Sequence, residues 1–259
     1  MKYKNKDLKA MARDALLGNY TLPIAAQFLL TIGTLFVENV FSVFFETEGT
    51  LNMILSTVAS FVIVLILNIF DAGFYAMILR ISRGESYFFS DLLYFFRNNP
   101  DRVIVAGFVF TLIEFMVSIP LKMVLYQTPA DVTDLQAVSD WFVAIVLAMI
   151  FQAALQVLLS LPFVMTYWVL CDNEEMGGVR ALKESCRIMK GRKLSYLGLV
   201  IGFIPHMLLA MLTWGIGMLW IIPYMGVSEA FFYRAATENW AEGCKEKQDA
   251  EINDYNAEA

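Results

Sequence analysis

Residues Leu194 to Tyr233 form a run of about forty positions that holds one acid, Glu229, and no lysine or arginine. A bilayer core of about 30 Å is crossed by roughly 20 apolar residues in a helix, so one straight helix of this run would overshoot it twofold. In its middle stands Thr213-Trp214-Gly215-Ile216-Gly217, whose glycines mark a tight turn, and the run is therefore two spans joined as a hairpin. Four further apolar runs precede it: Tyr20–Phe45, Leu51–Leu79, Val103–Tyr126 and Trp141–Leu170. The sequence thus predicts an all-α integral membrane protein with six transmembrane helices in three hairpins. Composition agrees, since 17% of residues are charged, against about 25% in soluble domains. Seven of these charges fall in residues 1–19 and nine in 238–259, too few being left between to coat a water-soluble surface. The same balance argues against a disordered chain, a basic nucleic-acid binder and a disulfide-stapled secreted domain.

Orientation follows from lysine and arginine, which are retained on the cytoplasmic side during insertion. Lys2, Lys4, Lys6, Lys9 and Arg13 precede span one, and Arg80, Arg83, Arg97 and Arg102 lie between spans two and three. Arg180, Lys183, Arg187, Lys190, Arg192 and Lys193 lie between spans four and five, and Arg234, Lys245 and Lys247 follow span six. Only Lys122 falls on the opposite side, which carries Glu46, Glu48, Asp131, Asp134 and Asp140. Both termini are predicted to be cytoplasmic and the protein to sit in the cell membrane. The first apolar run is too long for the core of a signal peptide and has no small-residue cleavage site after it, so span one is expected to persist. Cys171, Cys186 and Cys244 fall on or near the reducing side, with no disulfide and no metal motif expected. Residues 1–237 read as one membrane domain and 238–259 as an acidic, disordered cytoplasmic tail.

Each cytoplasmic segment leading into a hairpin has helical periodicity. Leu8, Met11, Ala12, Ala15 and Leu16 make one stripe, and Val179, Leu182, Cys186 and Met189 a second beside the basic residues of that loop. Tyr87–Phe96 is a third, more aromatic, segment. The first two are predicted to be amphipathic helices at the interface, basic side toward headgroups, and the third to be an interfacial helix as well. The unit of helix, span and span recurs three times, either as a true repeat or as the ordinary consequence of an even number of spans.

An ionisable group at membrane depth is costly and raises a functional question by default. Glu114, near the middle of span three, is the clearest, with Asn68, Gln152, Gln156 and His206 at similar depth as candidate partners. This set reads either as a proton or cation relay or as structural interhelical hydrogen bonding. His206 directly follows Pro205, a helix breaker that frees a backbone carbonyl for it. Asp71 and Glu229, toward the cytoplasmic ends of spans two and six, are expected to pair with Arg80 or Arg234. Gly198 and Gly202 have the spacing that lets helices approach closely. There is no HExxH pair, phosphate-binding loop, nucleophile elbow or paired-cysteine zinc motif, so no enzyme, cofactor or metal is expected.

The third hairpin is spelled specifically: Asp172-Asn173, then Ala181-Leu182-Lys183-Glu184-Ser185, Met189-Lys190-Gly191-Arg192-Lys193, Leu212 to Trp220, Pro223-Tyr224 and Phe232-Tyr233. These residues, with Leu8-Lys9, Ala12-Arg13, Gly18-Asn19-Tyr20 and Arg83-Gly84-Glu85 earlier, resemble the bacterial membrane family known as domain-of-unknown-function family 975. Pro205-His206 departs from the small residue and tryptophan of that family's span five. The resemblance implies a multi-pass cell-membrane protein, distantly similar to the membrane domain of some glycerophosphodiester phosphodiesterases, with no activity to carry over. Two functions are expected. The first is a non-catalytic scaffold, partner-binding or lipid-organising component. Its basic collar (Arg180, Lys183, Arg187, Lys190, Arg192, Lys193) would meet anionic lipid headgroups or a membrane-protein partner, and no nucleic acid. The second is a small transporter coupled through Glu114. A lipid-modifying enzyme would need Asp71 and Glu229 to converge.

Overall fold

The computed structural model describes residues 4–45, 50–129 and 134–237; the acidic tail, Glu46, Glu48, Asp131, Lys2 and Cys244 lie outside them. Among the described residues the chain is helical, with no strand. In order these are α1 (Asn5–Leu16), α2 (Thr21–Phe45), α3 (Thr50–Arg83), a 3-10 segment (Phe89–Leu93), α4 (Tyr94–Arg97), α5 (Pro100–Tyr126) and α6 (Leu135–Ser160). They continue with α7 (Thr166–Asp172), α8 (Gly178–Met189), α9 (Lys193–Ile201), α10 (Ile204–Leu212) and α11 (Met218–Ala236).

Four segments are long and apolar enough to cross a membrane: Leu55–Arg83, Pro100–Tyr126, Leu135–Ser160 and Lys193–Leu212. The pair Asn5–Leu16 and Thr21–Val37, bent by 97°, makes a fifth if counted as one span. α11 stays outside this set because Glu229, Arg234 and three tyrosine and proline positions dilute its hydropathy over only 19 residues. Burial divides the molecule. Ile69–Ile81 of α3, α7, α8 and the second half of α11 supply most of the core, which includes the fully buried Trp168, Phe95 and Phe232. α6 buries no residue at all, and Phe36, Met123, Leu147, Leu158 and Trp214 are among many large apolar side chains left exposed. Exposed apolar surface on this scale is tolerated only under lipid or a partner, and with the four apolar helices it marks the chain as membrane-associated.

The turn at Thr213–Gly217 stands where the sequence places it. Gly215 N donates to Ala210 O at 3.0 Å, and Gly217 N to Thr213 Oγ1 at 2.9 Å, before α11 begins. The fourth apolar run, by contrast, is not one helix. α6 stops at Ser160, residues 161–165 form turns around Pro162, and α7 restarts at Thr166. Proline removes a donor, and the break strands backbone groups that need partners. Ser185 of α8, fully buried, supplies both: its hydroxyl donates to Pro162 O at 2.9 Å and accepts from Met165 N at 3.1 Å.

The segment Tyr87–Phe96 is likewise not a continuous helix but a 3-10 turn running into α4, with Asp91, Leu92 and Phe95 buried and Phe88 and Phe89 exposed. α1 buries Leu8, Ala12 and Leu16 against α11 and exposes Lys6 and Arg13. α8 is rotated from the expected stripe. It buries Gly178, Ala181, Leu182, Ser185, Ile188 and Met189, while Val179 is 55% exposed. Gly191, at φ 77°, makes the left-handed turn from α8 to α9 that a side chain would strain. Gly198 and Gly202 are the floor on which α1 lies: a Cβ at Gly202 would come 2.4 Å from Lys9 Nζ, and one at Gly198 3.0 Å from Asn5 Nδ2.

Candidate functional site

Helix ends gather the charged residues at one pole of the molecule. Arg83 at the end of α3 is ion-paired with Asp172 at the end of α7, whose Oδ2 also accepts from Tyr233 OH at 2.9 Å. Arg80 Nη1 lies 3.2 Å from Asp91 Oδ1, and Phe88 N donates to the other oxygen at 2.9 Å. Arg234 donates to the Ser82 carbonyl. Tyr94 OH donates to Glu174 Oε1 at 2.6 Å, and burial followed by this bond pushes its phenol up to about 12. Arg102, 4% exposed, donates from Nη1 to Asn173 O at 2.9 Å, while its Nε and Nη2 are buried without partners. These contacts tie α3, the 3-10 turn, α5, α7 and α11 into one polar end.

α8 and the start of α9 form the outer face of that end, and here the six collar residues separate into two groups. Arg187 is turned onto Glu184, with Nε to Oε2 at 2.9 Å and Nη2 to Oε1 at 2.6 Å. Arg192 donates from Nη1 to Ile188 O at 2.9 Å and is half-buried. Arg180, Lys183, Lys190 and Lys193 are exposed, and none has an acidic partner among the described residues. Beside them stand two exposed apolar side chains, Val179 at 55% and Leu194 at 84%. Between α7, α8 and α11 lies a polar cavity of about 360 Å³ lined by Asp172, Asn173, Glu184, Arg187, Arg192 and Tyr233.

The five intramembrane candidates are not one cluster. Glu114 is exposed in a groove of about 370 Å³ between α3 and α5, with Ser60, Thr111, Ser118 and Lys122 along it. Asn68 lines a different cavity and touches this groove only through Thr111: Nδ2 donates to Thr111 Oγ1 at 3.2 Å, and Oδ1 accepts from Tyr167 OH at 3.4 Å. Gln152 and Gln156 are half-buried on α6; Gln152 Oε1 is enclosed without a partner among the described residues, and the Gln156 backbone carbonyl, not its side chain, accepts from Ser160 Oγ at 2.6 Å. His206 is exposed, its ring 5.8 Å from Phe203 and 6.3 Å from Tyr224. Pro205 sits in the first turn of α10, after a break at Gly202-Phe203, and makes no kink within a helix.

A further cavity, of about 360 Å³, lies among α2, α3, α5, the end of α6, α7 and α11. Gln27, Asn68, Asp71, Tyr75, Ser160, Tyr167 and Glu229 provide its polar lining. The expected pairing of Asp71 and Glu229 with Arg80 or Arg234 is not formed, because those arginines are committed to Asp91 and to the Ser82 carbonyl. Glu229 accepts instead from Tyr196 OH at 2.8 Å. Tyr75 stacks on Tyr167 at 5.4 Å, and Tyr167 on Phe110 at 5.2 Å. The spacing of Asn68, Asp71 and Tyr75, at i, i+3 and i+7, is the signal in the sequence that these three share a helix face.

Comparison with known proteins gives one finding. The family described as "Protein of unknown function (DUF975)" matches residues 1–240. No curated protein and no solved structure matches.

Proposed function

The chain belongs to the DUF975 family, and from its own geometry we propose that it is a non-catalytic membrane component that holds anionic lipid headgroups at its polar end. In this reading α2, α3, α5, α6, the α9–α10 pair and α11 are the six spans. Both termini and the polar end face the cytoplasm of a cell membrane, as the lysine and arginine distribution requires. α1 and α8 lie along the interface, apolar faces on the bundle.

One observation carries the proposal. Arg180, Lys183, Lys190 and Lys193 are exposed without acidic partners directly beside the exposed Val179 and Leu194. Such a surface suits a headgroup layer, where apolar side chains dip toward the acyl boundary and long basic ones reach the phosphates. Each basic residue near an anionic surface contributes about 1 kcal/mol. The test is native mass spectrometry of the protein with phosphatidylglycerol and with phosphatidylcholine. The wild type is expected to retain phosphatidylglycerol preferentially, and the R180Q/K183Q/K190Q/K193Q variant to lose at least about tenfold in affinity for it. Equal retention by the two proteins would overturn the proposal.

A second reading, a small permease coupled through Glu114, is favoured by the exposure of that carboxylate in a groove lined by hydroxyls. It requires that Glu114→Gln abolish potential-driven proton entry into proteoliposomes. The first reading requires that the same variant retain lipid as the wild type does.

A further inference from the structure

The cavity lined by Asp71 and Glu229 is separate from the headgroup surface and has its own chemistry. Glu229 is 5% exposed, and Tyr196 OH satisfies only its Oε1. No donor among the described residues reaches Oε2, which is not enclosed by protein and so opens on the cavity that Glu229 lines. Asp71, exposed on α3, lines the same cavity and makes no hydrogen bond or ion pair with any described residue. A carboxylate as buried as Glu229 needs hydrogen-bond donors and a counter-charge, and the Asp71 carboxylate on the same cavity adds a second negative charge to be met. The arginines nearest in sequence supply neither, since Arg80 is held by Asp91 and Arg234 by the Ser82 carbonyl.

The rest of the lining narrows what could supply them. Gln27 and Ser160 offer further oxygen acceptors, Tyr75 adds a hydroxyl, the Tyr167 hydroxyl is already given to Asn68 Oδ1, and Ile78, Val164, Ile222 and Met225 form an apolar wall. A bare metal ion would use the oxygens and leave that wall idle. An ammonium group on a short hydrocarbon body uses both, with three N–H donors for the oxygens and an apolar stem for the wall. The volume of about 360 Å³ admits a molecule of this size. The stacked rings of Tyr75, Tyr167 and Phe110 add π-faces of the kind that attract organic cations.

We infer that the cavity between α3 and α11 is a binding site for a primary ammonium group on a small apolar body, held between Asp71 and Glu229. The ammonium can belong to a free amine or to an ethanolamine lipid headgroup, which present the same chemistry to the two carboxylates.

The probes are 1,4-diaminobutane and n-butylamine on the purified protein, and nanodiscs with and without phosphatidylethanolamine. The readouts are thermal stability and tryptophan fluorescence, since the Trp168 ring lies 4.9 Å from the Tyr75 ring on the cavity wall. A saturable rise in Tm with either amine is expected at constant ionic strength, with affinity reduced at least tenfold in Asp71→Asn. Glu229→Gln keeps an oxygen for Tyr196 and is expected to show the same loss, while Glu114→Gln binds as the wild type does. A response confined to phosphatidylethanolamine nanodiscs, lost in Asp71→Asn, assigns the ammonium to lipid and also supports the site. A response to sodium or potassium chloride equal to that of the amines overturns the proposal. So does an amine response unchanged in Asp71→Asn, or no response to any of the probes.

Discussion

Replacement of Ser185 by alanine isolates the joint on which the polar end is built. The hydroxyl is fully buried and bridges the two stranded groups of the Pro162 break, donating to Pro162 O at 2.9 Å and accepting from Met165 N at 3.1 Å. Alanine removes one oxygen, so almost no packing volume is lost, and the effect is carried by a carbonyl and an N–H left without partners. Each such group costs about 1–3 kcal/mol when buried. Membrane-embedded hydrogen bonds run nearer 0.6 kcal/mol on average because the unfolded reference also finds partners, which favours the lower end. We expect a loss of about 2 kcal/mol, roughly thirtyfold in the folding equilibrium. Reversible unfolding in mixed micelles, followed by circular dichroism, measures it, with Ser185→Cys as a control that keeps a weak donor and acceptor. A Ser185→Ala protein within about 0.5 kcal/mol of the wild type would refute the reasoning, since a change of that size is what a surface substitution gives.

Three further outcomes are expected. Gly191→Ala has no neighbour within 4 Å to disturb, so its cost is the left-handed backbone alone at φ 77°, about 1–2 kcal/mol in the same unfolding assay. A double-mutant cycle of Arg83→Gln and Asp172→Asn is expected to give a coupling of about 1 kcal/mol, modest because the Arg83 side chain remains 29% exposed and solvent screens the pair. The Tyr94 phenol, raised from 10.0 to about 12 by burial first and the Glu174 bond second, keeps its proton in the folded protein where the unfolded chain loses it. Its contribution to stability is therefore complete below pH 10 and is lost as pH rises toward 12; Glu174→Gln is expected to move that loss to lower pH, read by near-ultraviolet titration.

The elements legible in the sequence were those fixed by local chemistry. Apolar run length marks α3, α5 and α6, glycine spacing marks the Thr213–Gly217 turn, and the i, i+4, i+8 repeat of Leu8, Ala12 and Leu16 marks the buried face of α1. What was not legible depends on azimuth and on distant partners. Counting large apolar side chains put Val179 on the buried face of α8, whereas close packing selects the small residues Gly178, Ala181 and Ser185; a Cβ at Gly178 would come 2.4 Å from Arg102 O. Depth along a helix grouped Glu114 with Asn68, Gln152, Gln156 and His206, but depth does not give direction, and Glu114 and Asn68 line separate spaces. Sequence proximity paired Asp71 and Glu229 with Arg80 and Arg234. The 3-10 turn brings Asp91 to Arg80 first, and an arginine so engaged is not available to a carboxylate deeper in the bundle.

In the proposed topology the pole carrying Arg83, Asp172 and the basic face of α8 lies at the cytoplasmic surface, with the Thr213–Gly217 turn across the membrane from it. Single cysteines test it in a background with Cys171, Cys186 and Cys244 replaced by serine, using a membrane-impermeant thiol reagent on intact cells and then on inverted vesicles. Trp214, 96% exposed, and Lys190, exposed at the end of α8, are the two positions to replace. This topology requires Trp214→Cys to label in cells and Lys190→Cys only in inverted vesicles; labelling of both from the same side would contradict it.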